Sequence, residues 1–119
     1  MIADDDPDVT LILKDVFLYD DRFKVDSFNN PILALKNFQA GSYDLLIIDI
    51  NMPQMSGFDL YEKIREIDSK VKIRFLATKS EINFGDAFPL PDVNCFIKKP
   101  VENEDMVIKQ VNSIIGQTE

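Results

Sequence analysis

DLLIIDINMPQMSGFDL, residues 44–60, is the stretch from which the fold can be read. Its first part, Asp44 to Asp49, sets four consecutive apolar residues between two carboxylates. An uninterrupted apolar run of that length fits a strand covered on both faces, as in a parallel sheet, whereas a half-exposed strand would alternate. Immediately after it, Phe58 to Asp68 places Leu60, Ile64 and Ile67 at i, i+4, i+7, predicting an amphipathic helix.

Outward from this strand and helix the same pairing recurs. Val71 to Ala77 (VKIRFLA) reads as the next strand, and Asn94 to Lys99 (NCFIKK) as a last short one. A final helix is expected to carry Val107, Val111, Ile114 and Ile115, stopped by Gly116. On the N-terminal side, Val9, Ile12, Leu13 and Val16 form a helical stripe with Pro7 in the first turn and Asp6 as N-cap. Phe23 to Phe28 (FKVDSF) alternates as a strand does, and Asn30–Pro31 opens a helix with Ile32, Leu35 and Phe38, closed by Gly41. Only Ser80 to Asp92 fits poorly, because Gly85, Pro89 and Pro91 leave any helix there short or distorted. Five strands alternating with helices predict a doubly wound α/β domain with right-handed crossovers, one domain over residues 1–119.

Composition narrows the chemistry. With 119 residues, 45% of them apolar, the chain supports one hydrophobic core. Thirteen basic against 21 acidic residues give a net charge of −8, which opposes direct binding to nucleic acid or anionic membranes. A single cysteine, Cys95, and no histidine exclude a disulfide framework, a zinc cluster and every histidine-dependent triad. Cys95 reads as a small buried hydrophobe. No apolar run approaches the roughly 18 to 20 residues of a membrane span, so a cytoplasmic location is expected.

In a doubly wound sheet, ligands collect at the carboxyl ends of the strands. That rim would bring together Asp4 and Asp5 after the first strand, Asp49 after the third, Thr78 after the fourth and Lys99 after the fifth. Three carboxylates at one edge repel one another and make a hard-oxygen site of the kind that holds Mg²⁺. With a divalent ion and Lys99 balancing three aspartates, the rim is near neutral and could accept a phosphoryl group, with Asp49 as nucleophile.

On these residues the chain resembles the receiver domains of two-component response regulators. The resemblance spans the whole chain: DDDPD after the first strand, LLIIDINMPQMSG around Asp49, LAT after strand four and FIKKP at strand five. It implies a five-stranded parallel sheet in the flavodoxin-like order 2-1-3-4-5. It also implies that Asp49 accepts phosphate from a sensor histidine kinase or phosphotransfer protein, with Asp5 binding Mg²⁺ and Asp4 assisting. Asn51 would offer its main-chain carbonyl to the metal, Lys99 would pair with phosphoryl oxygens, and Pro100 would follow it. Thr78 and Phe96 would form the switch that reports phosphorylation to a downstream protein partner through the surface of helix four, strand five and helix five. Phosphorylation is accordingly expected to order Ser80 to Asp92.

Two departures from the family pattern stand out. Ala77 precedes Thr78 where a hydroxyl residue followed by alanine is usual, so either could occupy the hydroxyl position. Only Met1 to Ala3 precede the acidic pair, so the first strand should be stunted, or the sequence begins late; ending after the fifth helix, it reads as a stand-alone receiver or an excised domain. Two rival functions remain open. Asp6 to Leu11 (DPDVTL) matches the D-x-D-x-T pattern of haloacid-dehalogenase-type phosphatases with Asp6 as nucleophile, although no apolar strand ends there. The other rival is a receiver-like interaction module that never takes phosphate. An EF-hand reading of Asp4, Asp6 and Asp8 fails, because Val9 stands where glycine is required.

Overall fold

The computed structural model describes residues 1–18, 23–78, 96–99 and 108–109, with Phe96 and Lys98 described by backbone only. Within them lie strands β1 (Ile2–Ala3), β2 (Ser27–Phe28), β3 (Leu45–Asp49), β4 (Lys72–Thr78) and β5 (Phe96–Lys99), with helices α1 (Pro7–Leu18), α2 (Pro31–Asn37) and α3 (Gly57–Ile67). All pairings are parallel and the sheet order is β2-β1-β3-β4-β5. This is the doubly wound order implied by the sequence resemblance.

β3 shows why its apolar run is continuous. Leu46 and Ile48 point into a core shared with Ala34, Phe38, Leu60, Ile64 and Phe75, on the side covered by α2 and α3. Leu45 and Ile47 point the other way, onto Leu13 and Phe17 of α1 with Leu76 and Ile97. Burial on both faces leaves no position in β3 where a polar residue is tolerated, until Asp49 at its carboxyl end.

Each of these three helices begins on a cap. Asp6 accepts the Asp8 N–H at 2.9 Å, Asn30 accepts those of Ile32 and Leu33, and Ser56 accepts that of Asp59. The buried stripe of α1 is Thr10, Leu13, Val16 and Phe17, with Ile12 turned to solvent. Val9, Leu11, Ile12, Leu13, Val16, Phe17 and Leu18 make the helix apolar nearly all round, so hydrophobic spacing alone does not fix its phase. In α2, Pro31 and Ala34 are buried and Ile32 is exposed, while Phe38 caps the helix and stays in the core. Gly41 adopts φ 78° in the turn beyond that cap rather than at the helix end itself. α3 matches expectation at Leu60 and Ile64, but Ile67 is exposed in its last turn.

The first strand spans two residues. Main-chain bonds around it extend its pairing: Ile47 N–H to Met1 O (2.9 Å), Ile2 N–H to Asp26 O (2.8 Å) and Asp4 N–H to Phe28 O (3.1 Å). β2 is confined to Ser27–Phe28 instead of running from Phe23, although Phe23 and Val25 still pack on the α1 side of the core. The expected irregular helix in Ser80–Asp92, together with Cys95, Pro100 and the apolar positions of the last helix, lies outside the described residues. Among the described residues no helix is long and apolar enough to cross a membrane.

Candidate functional site

Three strands deliver charge to one rim. The parallel register pairs Ala3 with Ile48, so the residues following β1 arrive beside the end of β3, where Asp49 sits. Thr78 pairs with Lys99 at the ends of β4 and β5. Asp4, Asp5 and Asp49 each present a carboxylate oxygen within 4.8 Å of the others. Lys99 Nζ lies between two of them, 2.7 Å from Asp4 Oδ2 and 3.0 Å from Asp49 Oδ1.

Burial differs sharply within this cluster. Asp4 is 0% exposed and Asp49 3%, whereas Asp5 is open to solvent. Burial pushes the Asp49 carboxyl up to about 6, and the negative charge of Asp4 adds to that push against the opposing hydrogen bond from Lys99. Asp4 is raised for the same first reason, loss of water, again opposed by Lys99. Burial would lower the Lys99 ammonium, but its two carboxylate partners outweigh that and hold it above its ordinary value.

One ammonium does not balance three carboxylates. Asp4 Oδ2 is buried and has the Lys99 ammonium, 2.7 Å away, as its partner among the described residues. Two buried carboxylates sharing that one ammonium, beside a third carboxylate and with oxygen ligands only, fit a hard divalent cation such as Mg²⁺ and do not suit a softer metal. The donor set is therefore compatible with the ion inferred from the sequence.

Of the other residues singled out in the sequence, Asn51 lies exposed two positions beyond Asp49 on the loop into α3. Thr78 is exposed at the rim opposite Lys99, while Ala77 is completely buried one residue earlier. Phe96 pairs with Phe75 through its backbone, and the side chain on which a switch role depends lies outside the described residues. Asp6 faces away from the cluster's chemistry: its carboxylate caps α1, and its own N–H is donated to Asp4 Oδ1 at 2.9 Å. Two residues that sequence reading passed over, Asn29 and Thr10, also support the acidic loop by hydrogen bonding. The pair NN before Pro31 was a visible signal, but one asparagine sufficed to explain the helix start.

The closeness of Asp49 to α3 has a steric origin. Gly57 donates its N–H to Ile50 O at 3.0 Å, and a Cβ there would lie 2.2 Å from Asp49 O. Gln54, in the same loop, adopts φ 74° and accepts a side-chain hydrogen bond from Asn30 at 3.3 Å.

Comparison with known proteins places these features in a family context. The model for "Response regulator receiver domain" matches residues 1–111. The sensor protein EvgS of Escherichia coli K12 is 40% identical over 104 residues, which cover 85% of this chain and 8% of that protein. CpdR, a response regulator receiver protein of Brucella abortus, is 29% identical over 90% of this chain and 88% of its own length. The chain thus spans only a small part of some relatives and most of others. Among solved structures, the non-phosphorylated HemR receiver domain of Leptospira biflexa superposes with a TM-score of 0.75 at 23% identity, covering 96% of this chain and 90% of that one.

Proposed function

The chain belongs to the response regulator receiver domain family of two-component signalling, and from that premise we propose that Asp49 is its phosphoacceptor. The observation that carries this reading is the convergence of Asp4, Asp5 and Asp49 within 4.8 Å, with Lys99 bridging the two buried members. In the reaction, an Asp49 carboxylate oxygen attacks the phosphorus of a phosphohistidine on a kinase or phosphotransfer protein. The new O–P bond forms as the N–P bond breaks, and the imidazole leaves as a neutral ring after taking up a proton. Lys99, already 3.0 Å from Asp49, is positioned to follow the charge onto the transferred oxygens.

Asp4, Asp5, Asp49 and the main-chain carbonyl of Asn51 would hold Mg²⁺. The bound ion supplies positive charge against the phosphoryl oxygens. Thr78, level with Lys99 at the rim, would donate a hydrogen bond to the phosphorylated aspartate, and Ala77, buried behind it, would not compete for that role. Phe96 and the surface around it would carry the signal to a downstream protein, in the cytoplasm.

The test is incubation with Mg²⁺ and acetyl phosphate, followed by peptide mapping of the acyl-phosphate. Label on Asp49, lost in Asp49→Asn, is expected. Label on Asp6 would support a phosphatase-type nucleophile instead, and no label on a folded, Mg²⁺-binding chain would leave a phosphate-independent interaction module.

A further inference from the structure

Behind the carboxylates lies a set of polar contacts that none of the roles above uses. Asn29 follows directly on β2, and its side-chain nitrogen donates to Asp4 O and to Thr10 Oγ1, each at 2.9 Å. The Thr10 hydroxyl in turn donates to Pro7 O at 3.0 Å, so it meets Asn29 as an acceptor. Both amide protons are therefore committed. Rotating the amide by half a turn would set its oxygen against the Asp4 carbonyl, so the network admits one orientation.

This side chain ties together the end of β2, the end of β1 and the first turn of α1. Asp4 is held at its N–H by Phe28 O, at its Oδ1 by the Asp6 N–H and at its carbonyl by Asn29. Asp6 is fixed in turn as the cap of α1. Asp5, the exposed member of the carboxylate cluster, is the residue between these two anchors. β1 is two residues long, and Asn29 adds a further rung to its main-chain ladder from a side chain.

We propose that Asn29 is a positioning residue for the divalent-cation site, holding the Asp4–Asp5 backbone so that Asp5 meets Asp4 and Asp49. It acts through the Asp4 carbonyl and the Thr10 hydroxyl and touches neither the ion nor the phosphoryl group. The inference rests on the reading of Asp4, Asp5 and Asp49 as an Mg²⁺ site.

Calorimetric titration of the full chain with MgCl₂ tests it, on wild type, Asn29→Ala, Thr10→Val, Thr10→Ser and Tyr43→Phe. Residues that orient metal ligands typically change affinity by about 10- to 100-fold, and Asn29→Ala is expected at the lower end of that range. Thr10→Val should weaken binding less, because the bond to Asp4 O survives, and Thr10→Ser should match wild type. Tyr43→Phe removes a 2.7 Å hydrogen bond to Asp26 at the opposite end of the sheet and should leave Mg²⁺ affinity unchanged. Wild-type affinity in Asn29→Ala would overturn the proposal, and so would equal weakening by Tyr43→Phe, which would mark a general loss of stability. Should circular dichroism show Asn29→Ala unfolded, the Thr10 pair decides, and identical affinities for Val and Ser would overturn it. Wild type that binds no Mg²⁺ would refute the metal-site reading and the inference together; wild type that binds, with Asn29→Ala unaffected, would refute the inference alone.

Discussion

Asp49 is costly to keep ionised in this fold. Its folded-state value of about 6 exceeds the ordinary 3.8, first because burial strips water from the carboxylate. Between those values the folded chain holds a proton that the unfolded chain has released, so stability falls as pH rises through that window. Above it the whole penalty stands. Asp49→Asn should therefore raise stability by about 1–3 kcal/mol at pH 7 in metal-free buffer, and by little near pH 3.5. Urea denaturation at the two pH values measures this, and an equal change at both would show that the charge is not the cause. Gly57 gives a residue-scale expectation of opposite sign. Alanine is the better helix former by about 1 kcal/mol, yet its Cβ would overlap the Asp49 carbonyl at 2.2 Å. Because backbone is the obstacle, Gly57→Ala is expected to lose about 3 kcal/mol or more, measured by the same denaturation. A stabilised variant would mean that α3 can slide away from Asp49.

At the scale of elements, α3 is the helix whose sequence states its burial most clearly. Leu60 and Ile64 are completely buried and Ile67 is 47% exposed, so Leu60→Ala should cost about 2–5 kcal/mol while Ile67→Ala stays within about 0.5. Thermal unfolding of the two variants checks the contrast; similar losses would place Ile67 in the core after all. Strand β3 and helix α3 were legible because each has one pattern and one environment, a four-residue apolar run and an i, i+4 stripe. α1 was legible as a helix but not in its rotation, since apolar residues surround it and the phase is set by Asp6 and Thr10, whose hydrogen bonds no periodicity encodes. β2 was overextended from Phe23 because alternation reports which side chains face the core, and Phe23 and Val25 do so without strand pairing. The rim residues Asp4, Asp5, Asp49 and Lys99 could be anticipated because topology sends strand ends to one edge. Asn29 could not, because its value lies in a carbonyl and a hydroxyl 25 and 19 positions away in the chain.

Across the whole molecule the sheet is held unevenly. β3 and β4 pair along five residues, whereas β1 joins β2 on one side and β3 on the other through only two. Two faces of packing compensate, with α2 and α3 covering one side of β3 and α1 the other. The three acidic side chains nevertheless come from both parts, Asp49 from the well-paired strand and Asp4 and Asp5 from the loop after the short one. Opening of the β1–β3 seam should thus cost less free energy than opening of β3–β4. In amide exchange, Ile47, bonded to Met1 O, is expected to exchange faster than Ile50, bonded to Leu76 O. Mg²⁺, if it joins loop to strand, should slow the first far more than the second. Uniform slowing would instead mean that the sheet opens as one unit. A two-residue strand at the middle of a sheet would then make a bound cation a brace as well as a reagent: the ion proposed to ready Asp49 for chemistry would also fasten the short seam between β1 and β3.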